Sequence, residues 1–160
     1  MTRDFPLFPC LECGDPYIFV GAGRSHLLTS PGYPAELYPD NLSCRWVIET
    51  HPGRQLLLRF QEFKLRDTDG DYVEIVLDGS LAGSSGDGGG TRSYSSPVQR
   101  FTGRELPPLL LSKENSISVT MVTDEDYSDA GFVLLIRDTD GSGMLSLSYF
   151  ASRFTSPLYE

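Results

Sequence analysis

The chain is short of positive charge, of histidine and of long apolar runs, and each shortage argues against a class of function. Lys and Arg number 13 against 22 Asp and Glu, a formal net charge of −9 over 160 residues. Neutralising a phosphate backbone needs clustered cations, so the balance argues against nucleic acid and for cations or basic partner surfaces. No apolar run approaches the ~18 residues of a membrane span. Leu109–Leu111 and Phe132–Ile136 are core-sized pieces. The opening "MTRDFPLFPC" has neither a basic n-region nor an apolar h-region. It is not a signal peptide, so a secreted protein would carry its signal elsewhere. The two histidines, His26 and His51, fall in polar segments, and neither G-x-S-x-G nor H-E-x-x-H occurs. Paired carboxylates can act as general acid and base, and an oxygen-bound cation can assist hydrolysis. With no other catalytic signal a hydrolase is the least favoured reading, and the chain is read as no enzyme.

Helical periodicity is also nearly absent, while strand alternation is plain. "CRWVIE" sets Trp46 and Ile48 against Arg45 and Glu49. "LLLRF" puts Leu56, Leu58 and Phe60 on one side, after a Pro52-Gly53 turn. "DYVEIVLDG" alternates Val73, Ile75 and Leu77 with Tyr72, Glu74 and Val76. "NSISVTMV" sets Ile117, Val119 and Met121 on one face, and "GFVLLIR" does so with Phe132, Leu134 and Ile136. Several short strands with turns between them predict an all-β fold, an antiparallel β-sandwich. Residues 1–9 read as a leader and 10–137 as the domain. Residues 80–97, "SLAGSSGDGGGTRSYSSP", read as a Gly/Ser-rich insertion with too little apolar content to pack. Residues 138–160 read as a C-terminal tail or linker.

Three cysteines, Cys10, Cys13 and Cys44, suggest one bridge and one thiol left over for another chain. The C-x-x-C pair Cys10/Cys13 invites a zinc or redox reading. It lacks a second pair for zinc and a βαβ context for a thioredoxin-like site. Asn41-Leu42-Ser43 fits the N-glycosylation pattern of a secreted glycoprotein. "RDTDG" occurs at Arg66–Gly70 and again at Arg137–Gly141, but the flanks do not match, so it is no internal repeat. Asp67, Asp69 and Asp71 alternate like cation ligands. They are not an EF-hand, because Gly70 falls fourth and Asp78 twelfth from Asp67 where that loop needs Gly at six and Glu at twelve.

Taken together, these pieces resemble the CUB domain, an extracellular β-sandwich module, over Cys13 to Arg137. The matching stretches are "CG" at Cys13-Gly14, "SPGYPAELYPDNLSCRWVI", "LLLRFQEFKL", "DYVEIVLDG", "FTG" at Phe101–Gly103 and "NSISVTMVTDEDYSDAGFVLLI". The resemblance implies a Cys13–Cys44 disulfide, closing about 30 residues and worth roughly 3–4 kcal/mol. Cys10 is then extra, a candidate for an intermolecular disulfide. Thr102 stands where the family has a cysteine of its second bridge. The expectation is a loosened loop end, with the 80–97 insertion at that same end.

Many CUB domains hold one calcium with a Glu and two Asp from separate loops. By resemblance Asp71 and Asp124 are the two Asp, and the carbonyl of Asp126 is a backbone ligand. Tyr38 matches a tyrosine near the site. Arg66 stands where the Glu belongs, so the expected ligand set takes Asp67, one residue on, as the substitute. In calcium-binding members the ion orders the loops and the acidic ligands accept a Lys or Arg of a partner protein. The implied function is therefore a non-catalytic extracellular recognition module, possessing calcium as a cofactor. Asp71, Asp124 and Tyr38 would meet the partner, and Asp126 and Asp129 would steer it. The competing reading is a calcium-independent glycan-binding or assembly module. In it Arg66 fills the cation site by pairing with Asp71 and Asp124, and the tail docks on a neighbouring copy. The second "RDTDG", at Arg137, reads as a solvated linker.

Overall fold

Alternation of apolar and polar side chains builds both layers of the structure. The computed structural model describes residues 13–67, 70–77 and 98–142. Cys10, Asp69, Asp78, the leader, the insertion at 80–97 and the tail beyond 142 lie outside the described residues. Nine strands are present among them: β1 (Tyr17–Phe19), β2 (Ser25–Thr29), β3 (Ser43–Glu49), β4 (Gln55–Lys64), β5 (Tyr72–Val76), β6 (Val98–Phe101), β7 (Leu110–Leu111), β8 (Ser116–Val122) and β9 (Gly131–Thr139). One sheet has the order β1-β3-β8-β5-β6, the other β2-β9-β4-β7. The expected β-sandwich is the observed fold. One pair departs from antiparallel order: β1 runs parallel to β3, with Tyr17 opposite Val47.

Every residue expected to point inward does so. Trp46, Ile48, Leu56, Leu58, Phe60, Val73, Ile75, Leu77, Ile117, Val119, Met121, Phe132, Leu134 and Ile136 are all buried in one core. In β4 the strict alternation breaks between Phe60 and Glu62, where the register against β9 shifts by one residue. The bulge turns both Phe60 and Phe63 inward, where their rings meet edge to face with centroids 5.1 Å apart, within the range such pairs prefer.

The β4–β9 ladder also defines two ends. Lys64 lies opposite Gly131 at one end, and Gln55 opposite Thr139 at the other. Eight residue steps separate them, about 26 Å. The first, here the loop end, receives Tyr72 of β5 and Val122 of β8, which are paired, and the start of β3 at Ser43. The second, here the far end, receives Glu49 of β3 and Ser116 of β8.

Two expectations need correction at this level. The ends of β5 and β6 that flank residues 78–97 are not at the end of the sandwich where Thr102 lies. β5 and β6 form a hairpin in which Val73 faces Phe101 and Val76 faces Val98. Thr102 therefore follows β6 at the loop end, whereas the chain leaves and re-enters the hairpin toward the far end. The Thr102 hydroxyl lies 2.8 Å from the carbonyl oxygen of Asp71 and 3.1 Å from that of Arg66, tying β6 to the preceding loop where the family has a bridge. The second "RDTDG" is no solvated linker either. β9 runs on to Thr139, and Asp138 is buried because its carboxylate is fully engaged by its neighbours.

Candidate acidic loop-edge site

Asp71 directly precedes β5 and is 1% exposed. One of its carboxylate oxygens accepts the Tyr38 hydroxyl at 2.6 Å, and the other accepts the backbone N–H of Asp124 at 2.9 Å. Tyr38, equally buried, accepts the Arg66 N–H at its hydroxyl oxygen, 3.1 Å away. Burial pushes the Tyr38 phenol well above its usual range, and the hydrogen bond to Asp71 pushes the same way. It is a neutral, permanent donor to the carboxylate.

Asp124 follows β8. One oxygen of its carboxylate accepts the Asp126 N–H at 2.9 Å. The other sits against Gly70, where an added Cβ would come within 1.8 Å of it. Glycine at this position is thus what lets the two acidic loops close on each other. The structure brings Asp71 and Asp124 together and joins Asp126 to them through its backbone. Asp67 is exposed and faces Gly103, in a depression lined also by Leu65, Arg66 and Arg104. Among the described residues no three His, Cys, Asp or Glu side chains are grouped to hold a metal ion.

The guanidinium of Arg66 lies 5.2 Å over the ring of Tyr127, a residue 75% exposed. Among the described residues it forms no ion pair with Asp71 or Asp124. The built-in cation of the competing reading instead lies over an aromatic face, with which a planar guanidinium stacks well. Asp129, expected to add free negative potential, is instead paired with Arg104 at 2.6 Å. A lone arginine in "FTGRE" carried no pattern that would have revealed this partner. Tyr38 was expected near the site, but the sequence did not reveal that residues 39–42 also lie along the acidic loop. The Tyr38 N–H donates to the Asp129 carbonyl at 3.2 Å and the Asn41 N–H to the Asp124 carbonyl at 2.8 Å. The Ser128 hydroxyl donates to Asp40 at 2.6 Å, and the Leu42 N–H to the Thr123 hydroxyl at 2.8 Å.

Cys13 and Cys44 form the expected disulfide, with Cα atoms 5.5 Å apart. Trp46 Nε1 donates to the Cys13 carbonyl at 2.8 Å, so the bridge and the core tryptophan are fastened together. At the far end Asp138 accepts Nε of Arg54 at 2.8 Å, the Thr50 hydroxyl at 2.6 Å and the Gly23 N–H at 2.6 Å. Arg54 holds the Asp138 carboxyl well below the usual carboxylate range against the opposing effect of burial, with Thr50 and Gly23 adding to the depression.

A disulfide-stapled sandwich with an acidic loop edge defines a class of extracellular module. The CUB domain family matches residues 13–135, and the chain belongs to it. It is 30% identical over 152 residues to cubilin of Canis lupus familiaris, covering 92% of this chain but 4% of that protein. The full extracellular region of zebrafish Gpr126/Adgrg6 superposes with a TM-score of 0.61 at 20% identity, over 79% of this chain and 15% of that one. The MASP-1 CUB2 domain, solved bound to Ca2+, does so with a TM-score of 0.57 at 24% identity, over 76% and 96%. CUB domains are extracellular protein-interaction modules, and this chain is extracellular. Among the described residues no helix is long and apolar enough to cross a membrane.

Proposed function

We propose that the chain is a non-catalytic recognition module whose acidic loop edge accepts a Lys or Arg of a protein partner, with calcium held through Asp71 and Asp124 to order that edge. The observation that carries this reading is the setting of Asp71. Its buried carboxylate is held by two neutral donors, and among the described residues no cation of this chain pairs with it. A buried charge is costly unless compensated, so the site is primed for a cation from outside the chain. The exposed Glu125 and Asp126 extend the negative surface outward.

The donor chemistry suits calcium, which takes six to eight oxygens including carboxylates, carbonyls and waters. This chain offers two neighbouring carboxylates, and Asp67 does not complete a group of three with them. That the MASP-1 CUB2 domain, similar in fold, was solved bound to Ca2+ supports the choice of ion. When bound, the ion would supply positive charge that fixes the loops. The carboxylates would then present their remaining lone pairs to an ammonium or guanidinium, a charge-assisted contact that gains strength from repetition.

Calorimetric titration of EDTA-stripped protein with calcium tests the ion. Saturable binding at one site, lost in Asp124→Asn, is expected; absence of heat removes calcium from the proposal. Capture of an immobilised lysine-rich peptide by the same samples tests recognition. Capture that Asp124→Asn leaves unchanged would overturn the edge as the partner site.

A further inference from the structure

Asn41 stands at the rim of this same edge. Its backbone lies in the left-handed region at φ 54°, which asparagine adopts more readily than most residues. The side chains alternate through the sequon: Asn41 is exposed, Leu42 is buried, and Ser43, the first residue of β3, is exposed again. The acceptor amide and the serine required for its modification are therefore both on the surface, in a turn, as an N-glycosylation site demands. The chain is extracellular, the setting in which such sites are used.

What makes the position consequential is its neighbour. The Asn41 N–H donates to the carbonyl of Asp124, and Asp40 beside it accepts from Ser128. These bonds fix the turn along residues 124–128, so whatever is attached to Asn41 is held beside that loop. We infer that Asn41 carries an N-linked glycan that stands over the acidic edge and restricts which partners reach it. This regulation rests on the reading of the edge as a partner site, although the glycan and its shielding can be measured without any partner.

The test uses the full chain secreted from glycosylation-competent cells. Peptide mapping after enzymatic release of glycans reads the site, because release converts the modified Asn to Asp. Occupied Asn41 is the expected result, and an unmodified Asn41 in the secreted protein overturns the inference. Carbodiimide labelling of exposed carboxylates then compares the glycosylated protein, the natively deglycosylated protein and Asn41→Gln. Labelling of Glu125 and Asp126 is expected to be several-fold slower with the glycan present. Glu114, exposed near the far end, should react alike in all three. Equal labelling of Glu125 and Asp126 in all forms overturns the shielding. A lysine-rich peptide is run on the same samples. If even the bare protein fails to capture it while the labelling difference stands, the recognition reading fails and the glycan shield survives.

Discussion

Each end of the sandwich is organised around one buried aspartate, and the two are treated in opposite ways. Asp138, at the far end, is 3% exposed and saturated by a guanidinium, a hydroxyl and a backbone N–H of its own chain. Asp71, at the loop end, is as deeply buried but among the described residues is held by a phenol and an N–H. A compensated carboxylate fastens turns together; an uncompensated one keeps an affinity for a cation in reserve. Arg66 and Arg137 open identical "RDTDG" segments, so the difference comes from what the fold brings alongside each. The Asp138 in the second segment meets Arg54 from the β3–β4 turn, while the first leads into Asp71, which meets Tyr38.

The ends also differ in how they are stapled, covalently at the loop end and ionically at the far end. Replacing Cys13 and Cys44 together by Ser should cost roughly 3–4 kcal/mol in urea unfolding. Amide exchange should then quicken most at Leu42 and Thr123, next to the lost bridge. Uniform quickening through β4 and β9 would mean that the bridge does not act locally.

Asp138→Ala should cost about 3 kcal/mol, the low end for breaking a buried pair, because Arg54 keeps access to water. The same aspartate sets an acid limit. Its folded pKa is depressed, so its contribution is complete above the ordinary value of about 3.9 and is lost as pH falls through the folded value. Unfolding free energy measured across acidic pH should decline in this window, and less steeply in Asp138→Asn.

Tyr38→Phe should cost about 1–2 kcal/mol, since Asp71 loses a hydrogen bond and the Arg66 N–H loses its acceptor. Here the pH limit lies on the other side. The folded pKa is raised, so the contribution is complete below about 10 and is lost as pH rises through the folded value. Alkaline melts that are alike for wild type and Tyr38→Phe would contradict the buried neutral phenol.

Arg66→Ala should have the smallest effect, about 0.5 kcal/mol, for an exposed stacking contact on Tyr127. A large gain in calcium affinity in this variant would instead place Arg66 in the ion's site.

The sandwich was legible because period-two alternation in β3, β4, β5, β8 and β9 follows directly from burial of one face of each strand. The short strands β1, β2, β6 and β7 escaped, since two to five residues with exposed Tyr17, Phe19 and Leu27 leave no clear alternation. At the site, the proximity of Asp71 and Asp124 followed from resemblance. The roles of Gly70, Thr102 and Arg104 did not, because each acts across the fold on a residue distant in sequence. The solvated reading of Asp138 failed for the same reason: its partners Gly23, Thr50 and Arg54 come from turns more than eighty residues away.

The hairpin of β5 and β6 has a practical consequence for engineering. Val76 and Val98 face each other across the ladder, so the chain departs and returns within one strand spacing, on the side away from the acidic loops. Lengthening a loop costs only about 0.6 kcal/mol of closure entropy per doubling. An affinity tag or fluorescent reporter grafted beyond the buried Leu77 would lie at the end of the sandwich away from Asp71, making this the natural attachment point for following the module without disturbing its acidic edge.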